Sequence, residues 1–294
     1  MRGSVKIAIG VAAFLLLGVA VGACSAWRAL NPGQRYDHEL PELSVDLASP
    51  AMLVFSKTAG FRHEEAIPAG IAALREIADR RGWGFHATEQ GAVHNPAQLA
   101  RFDVVVWLNV SGDVIDEKQK RAFTSWLEQG GGWIGIHGSG GDFSYHWPWY
   151  VEHLLAAQFI GHPLKPQFQQ ATLLVEDREH PATRHLESTW VRTDEWYSFA
   201  ESPRAKGVRV LLRLDESTYQ PTFKLGLIER ELAMGDDHPI VWSHCVGAGR
   251  ALYSALGHQA SAYAEPRHRK LLEEAVAWGM GLHPGACEHR IAGQ

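Results

Sequence analysis

Short apolar runs alternate with amphipathic stretches along the first half of the chain, and this alternation sets the fold class. Met52-Leu53-Val54-Phe55, entered at Ala51, is a run of buried-strand type. The polar loop from Ser56 to His63 then leads into a helix predicted over about Glu64 to Arg81. Gly84-Phe85-His86-Ala87-Thr88 is a weaker second strand, and Asp103 to Asn109 is a third whose continuous hydrophobicity implies cover on both faces. Asp116 to Gln129 reads as a helix with acidic residues at its start, where the helix dipole favours them. Next comes Gly130-Gly131-Gly132-Trp133-Ile134-Gly135-Ile136-His137, an apolar strand bracketed by glycines and ending in a histidine. Strands alternating with helices predict an α/β domain with a mostly parallel sheet, helices on both faces and right-handed connections.

The pattern changes after Asp142. Tyr145-His146-Trp147-Pro148-Trp149-Tyr150 is an aromatic loop, and the helix expected after it ends near Gly161-His162-Pro163. Further strands are predicted at Ala171–Glu176, Val208–Leu214, Ile240–Cys245 and Arg250–Leu256, with a closing helix over Pro266–Met280 and a loose tail after Gly281. There is no internal repeat.

The N-terminus carries a different signal. A short basic segment, Met1 to Lys6, precedes an apolar run from Ile7 to Val21 and then Gly22-Ala23-Cys24. This is an export signal, and small residues leading into a cysteine match a bacterial lipobox with lipidation at Cys24; an uncleaved membrane anchor is the alternative. Both place the remainder outside the cytoplasm, in the periplasm. Residues 25–50 are polar and proline-punctuated and read as a tether, which leaves 51–283 as the domain and 284–294 as tail. Cys245 and Cys287 show no metal-type spacing; in an oxidising compartment they could pair, although nothing in the sequence fixes that geometry.

Composition narrows the partner. Hydrophobic residues make up 46% of the chain, the net charge is -5 and no basic stretch is present, which argues against nucleic acid. The 16 His and 11 Trp suit a pocket for a polar organic molecule, since imidazole titrates near neutrality and indole stacks on the flat faces of sugar rings.

The glycine-rich exit of the fourth strand is the expected centre of the chemistry, because ligands of open α/β sheets bind outside the carboxyl ends of the strands. His137 stands there as base or hydrogen-bond donor. Asp194 and Glu195 are adjacent carboxylates in an aromatic context; on an extended segment only one of them faces the pocket while the other braces a loop. His258 follows Gly257 at a strand end and approaches the same mouth. Phe61, Arg62 and His63 after the first strand and Asn109 at the end of the third are substrate-binding candidates, with helix capping as the rival role for His63. His162, His180 and His238 each precede proline; the last two read as loop markers, and His162 is the one with a claim on the pocket. Trp147, Trp149, Trp196 and Tyr197 are expected to wall it. No His-Glu-x-x-His motif occurs, so a divalent metal is compatible with the histidines but not required.

Six segments in this order, Gly60-Phe61-Arg62-His63, Gly130 to His137, His180-Pro181-Ala182-Thr183, Asp194-Glu195-Trp196-Tyr197, Asp237-His238-Pro239-Ile240 and Gly249-Arg250 with Gly257-His258, resemble the trehalose-utilisation (ThuA-like) family. The resemblance implies a fold similar to the class I glutamine amidotransferases, a flavodoxin-like doubly wound sheet. It also implies a departure. Those enzymes carry a Gly-x-Cys-x-Gly elbow, whereas Gly135-Ile136-His137-Gly138-Ser139 puts His137 at the cysteine position, so no glutamyl thioester can form, and Ser139 lies past the apex. By the same resemblance the substrate is a small-molecule carbohydrate, a keto-sugar or keto-glycoside isomerised or cleaved by acid/base chemistry without a redox cofactor. A non-catalytic sugar-binding lipoprotein and a metal-dependent hydrolase are the alternatives.

Overall fold

The computed structural model describes residues 34–143, 147–283 and Cys287. The export signal, Cys24, Tyr145, His146 and most of the expected tail lie outside the described residues. Among the described residues no helix is long and apolar enough to cross a membrane.

One half of the fold is the doubly wound unit. Strands β1 (Ala51–Phe55), β2 (Gly84–Thr88), β3 (Val104–Leu108) and β4 (Gly132–Ile136) pair in parallel, and the late strand β13 (Gly249–Ser254) joins β4 in parallel. Their spatial order, β2-β1-β3-β4-β13, reverses between β1 and β3, the point at which such sheets open a ligand crevice. β1, β3 and β4 are buried at every position, as their unbroken hydrophobicity requires. Helices α1 (Ala66–Arg81) and α3 (Pro266–Gly279) cover one face: Gly70 of α1 lies against the Leu108 methyls, and Gly279 of α3 against Val104 and Ile134. Helix α2 (Glu117–Glu128) covers the other face, where its Phe123 stacks on Trp107 at 5.4 Å. A capping box of Asp116 and Gln119 starts α2.

The other half is antiparallel. β12 (Pro239–Val246), β9 (Arg209–Asp215), β6 (Phe168–Val175) and β7 (Thr189–Glu195) extend the sheet beyond β13 to nine strands. β6 and β7 alternate buried and more exposed positions, the mark of strands with only one covered face. Two small ribbons complete the chain: β5 (Phe159–Gly161) with β8 (Ser198–Phe199), and the hairpin of β10 (Thr222–Leu225) with β11 (Ile228–Glu231).

Three expectations change. The helix expected to run to Gly161 stops early: a single wide turn, Tyr150–Leu155, ends where Ala156 adopts a left-handed backbone (φ +65°). The chain then enters β5, and Phe159 packs against Tyr197 at 4.6 Å. Residues 34–50 have little secondary structure but are docked rather than loose. The Asp37 carboxylate accepts from Gly91 N (2.8 Å) and pairs with Lys57, the Asp37 carbonyl accepts from Gln119 (2.7 Å), and Arg101 donates to the Ser44 carbonyl (2.5 Å). Finally, Cys287 is bonded to Cys245 of β12 (Cα–Cα 5.6 Å), which ties that part of the tail to the sheet.

Candidate functional site

A cavity of about 420 Å³ opens at the carboxyl edge of the parallel strands, lined by His63, Asp142, His162, Glu195, Tyr197 and His258 among others. Five loops build it, following β1, β3, β4, β5 and β13, and the end of β7 reaches across from the antiparallel half.

The loop after β4 is an elbow. His137 has φ +43°, a left-handed conformation that costs a non-glycine residue about 1–3 kcal/mol and persists only where the surroundings enforce it. The enforcement is visible: His137 Nδ1 lies 2.7 Å from the Ala255 carbonyl, and the His137 carbonyl accepts from Tyr253 Oη at 2.8 Å. Gly138 N donates to Asn109 Oδ1 at 3.0 Å. Gly138 must be glycine, since a Cβ there would lie 2.9 Å from His63 Cε1. Because a carbonyl can only accept, Nδ1 of His137 carries a proton. The ring is fully buried, stacked on Tyr197 with centroids 4.3 Å apart.

The two carboxylates at the end of β7 separate as the strand pleat requires. Asp194 turns away from the cavity and accepts from Gly257 N (3.0 Å), His258 N (3.2 Å) and Arg192 Nη2 (2.9 Å), holding the loop that carries His258. Glu195 turns into the cluster and divides its oxygens. Oε1 accepts from Gln167 Nε2 (2.5 Å) and lies 3.1 Å from His162 Nδ1. Oε2 lies 3.0 Å from His258 Nδ1 and 3.3 Å from His137 Nε2. Burial alone would raise the Glu195 pKa, but hydrogen bonds from His137 and His258 and the nearby His162 hold its carboxyl well below the usual range. It is an anion near neutral pH.

His63 completes the group. Its ring packs 4.8 Å from His137 and 4.6 Å from His258, it is 6% exposed, and neither ring nitrogen has a hydrogen-bond partner among the described residues. Burial, reinforced by His137 and His258, pushes its pKa well down, so the ring is neutral. One donor atom from each of His63, His137, Glu195 and His258 lies within 4.8 Å of every other, and these are the residues that could hold a metal ion.

Other expected site residues fall elsewhere. Phe61 is half-exposed at the cavity rim, but Arg62 turns outward to Glu64 and Glu89. Asn109 is fully buried (φ +53°) and acts through Gly138 rather than on the cavity. Of the four aromatic residues expected as walls, only Tyr197 is one. Trp196 is a core residue that donates to the Gln169 carbonyl (2.9 Å), while Trp147 and Trp149 stack on each other beside α2. The Ser139 hydroxyl is committed to Trp107 O (2.8 Å) and Val110 N (3.1 Å), which leaves it no role as nucleophile. His180 accepts from Ala182 N within its loop, and His238 is buried between Glu216 and the Tyr197 carbonyl. Asp142, Phe159 and Gln167 line the cavity without having been singled out. Asp142, at the end of the glycine run, was the one with a signal in the sequence.

A doubly wound sheet that carries a histidine at its elbow and a His/Glu cluster in a cavity at its strand ends defines an α/β protein of amidotransferase-like layout without the thiol of an amidotransferase. Residues 51–279 match the ThuA family model, described as trehalose utilisation, and the chain belongs to that family. Among solved structures it is similar to a ThuA-like protein from Bacteroides uniformis, with 25% identity, a TM-score of 0.67, and coverage of 82% of this chain and 95% of that one. A ThuA-like protein from Parabacteroides merdae (16% identity, TM-score 0.59, 82% and 97% covered) and a cytoplasmic protein from Salmonella typhimurium (12%, 0.51, 81% and 100%) share the fold. No curated protein sequence matches.

Proposed function

We propose that the chain is an exported carbohydrate-processing enzyme that moves a proton on a keto-sugar or keto-glycoside. A ketone at C3 acidifies the neighbouring C2–H, so the reaction needs a base at that carbon and a group to hold the developing enediolate. His162 is the base. Its Nδ1 lies between two acceptors, the Pro163 carbonyl at 2.9 Å and Glu195 Oε1 at 3.1 Å, which place the ring proton on Nδ1 and leave Nε2 as the basic lone pair. With its side chain 25% exposed it is also the most accessible histidine of the group, while the buried His137 sits too deep to touch substrate. This His162–Glu195 pairing at the cavity wall is the observation that carries the reading.

The electrons and protons balance without a redox partner. The C2–H bond breaks toward His162, and the C3 carbonyl oxygen becomes an enolate beside the His63/His258 side of the cavity. Either the proton returns to another carbon, giving an isomer, or the enolate collapses to a C1–C2 double bond as the C1–O bond breaks and the departing oxygen takes a proton from His162. A volume of about 420 Å³ suits a sugar-sized ligand. Export is supported by the apolar run that ends in Gly22-Ala23-Cys24 and by the Cys245–Cys287 bond, which persists in an oxidising compartment. The test is deuterium wash-in at C2 of a 3-keto-glycoside in D₂O, followed by NMR. His162→Gln should slow it by about 10²–10⁴-fold with the melting temperature unchanged. Equal exchange by wild type and variant, or none by wild type, overturns the reading.

A further inference from the structure

The deep side of the same cavity gathers four metal-ligating side chains. His137 Nδ1 is committed to the Ala255 carbonyl, and its Nε2 faces Glu195 Oε2 at 3.3 Å. His258 Nδ1 sits 3.1 Å from the first and 3.0 Å from the second. Beside them His63 is nine-tenths buried, and neither of its ring nitrogens has a hydrogen-bond partner among the described residues. One donor atom from each of the four lies within 4.8 Å of every other, the convergence that a cation site requires.

We infer that His63, His137, His258 and Glu195 bind one divalent first-row transition metal ion. Three imidazoles and one carboxylate select zinc, iron, cobalt or nickel over calcium or magnesium, which prefer all-oxygen ligands. The separations of 3.0, 3.1 and 3.3 Å among the His137, His258 and Glu195 donors are close to the roughly 3.0–3.4 Å between neighbouring ligands of an ion bound at about 2.0–2.2 Å. The outer shell fits as well. His137 donates its second N–H to a backbone carbonyl, and Glu195 keeps Oε1 for Gln167 and His162, the kind of support that orients metal ligands. His63, Glu195 and His258 also line the cavity, so an ion held by them has an open side toward substrate, as catalytic rather than purely structural sites do.

The metal site stands on donor geometry alone, whereas its use rests on the proton-transfer reading. An ion there would polarise the C3 ketone and hold the enediolate oxygen while His162, outside the ligand set, takes the proton.

The test begins with untagged full-length protein stripped by chelator and dialysed. Cobalt(II) followed by its visible d–d absorption, and zinc(II) followed by calorimetry, should each saturate at one equivalent per chain and raise the melting temperature. His63→Gln and Glu195→Gln should weaken binding by at least tenfold while the stripped proteins keep the circular dichroism of stripped wild type. His162→Gln, which touches only the Glu195 oxygen turned away from the ion, should weaken binding less than either ligand variant. Absence of stoichiometric binding, or undiminished binding by both ligand variants, overturns the site and identifies the cluster as one that shares protons only. If a ligand variant fails to fold, the cobalt spectrum of wild type decides, because nitrogen-rich coordination and aqueous cobalt absorb differently. C2 exchange measured on the same samples separates the two claims: metal bound without exchange sinks the reaction, and full exchange by stripped protein that still binds one equivalent sinks the metal's part in catalysis.

Discussion

Replacing Asp194 asks whether it is a chemical group or a brace, and the two roles predict opposite outcomes. Its carboxylate is 1% exposed and receives the Gly257 and His258 backbone N–H groups, the Arg192 guanidinium at 2.9 Å and its neighbour's N–H at 3.0 Å. Asp194→Ala strands a buried cation and three backbone N–H groups at once. Breaking a buried ion pair from one side costs about 3–5 kcal/mol. Arg192 keeps some support, since Glu265 lies 3.3 Å from Nη1, so a loss of about 4 kcal/mol is expected. Asp194→Asn keeps one acceptor oxygen for the loop amides and should lose roughly half as much. Urea unfolding of both variants gives these values, and C2 exchange normalised to the folded fraction gives the chemistry. In Asn the exchange rate of the folded fraction should stay within about tenfold of wild type, because the His258 loop is loosened but no reacting group is removed. An Asn variant with wild-type stability and exchange reduced a hundredfold or more would refute the brace and return Asp194 to the reaction.

Acid should destabilise the fold well before carboxylates titrate. Burial lowers His94 and His244 to about 4 and His268 to about 3; the unfolded chain takes up these protons near pH 6.5 and the folded one does not, so stability is lost as pH falls through that window. The loss between pH 7.5 and 5 should be on the order of 6 kcal/mol, about 2 for each of the three, and a flat urea midpoint over that range would contradict it. Gly140→Ala places a methyl 2.4 Å from Tyr253 Cζ, the residue whose hydroxyl holds the His137 carbonyl. It should cost about 1–3 kcal/mol in unfolding free energy and weaken cobalt binding, and an unchanged variant would show that the elbow tolerates more than its geometry suggests. For the export reading, labelling of cells with a lipid precursor should mark wild type and not Cys24→Ala; identical processing and labelling of both would remove lipidation.

The parallel half of the sheet was legible where a strand is followed by a local partner, as β1 is by α1, β3 by α2 and β13 by α3: a continuous apolar run, a polar loop, a helix. β7 was harder. Its alternation is real but its inner face is set by pairing with β6, where Phe168 faces Glu195 and Gln169 faces Asp194. Periodicity says that the two carboxylates diverge; only the register says which one enters the cavity. The same reason misdirected the aromatic residues. Trp196 follows β7 directly and looks like a loop residue, yet its indole reaches back to the Gln169 carbonyl across that pairing, a contact no local pattern announces. Trp147 was drawn away by packing on Tyr150, which in turn stacks on Trp107 of β3.

His63 shows where a sequence reading stops and what must replace it. The loop after β1 offered two roles, helix cap or pocket residue, and both use a histidine at that position. The helix is capped at Glu65 rather than at His63, and the His63 ring bonds none of its N–H groups, so the capping role falls away. What distinguishes the pocket role from core filling is a property of three loops and the end of β7 together: two buried ring nitrogens without a hydrogen-bond partner among the described residues, beside His137 and the Glu195 carboxylate, which face each other. A buried histidine kept for packing would be expected to satisfy its nitrogens, as His94 does with Gly91 and Trp107. His63 leaves its nitrogens open at the edge of a cavity, and a chain that gains nothing in stability from that arrangement has a reason to keep it only if something binds there.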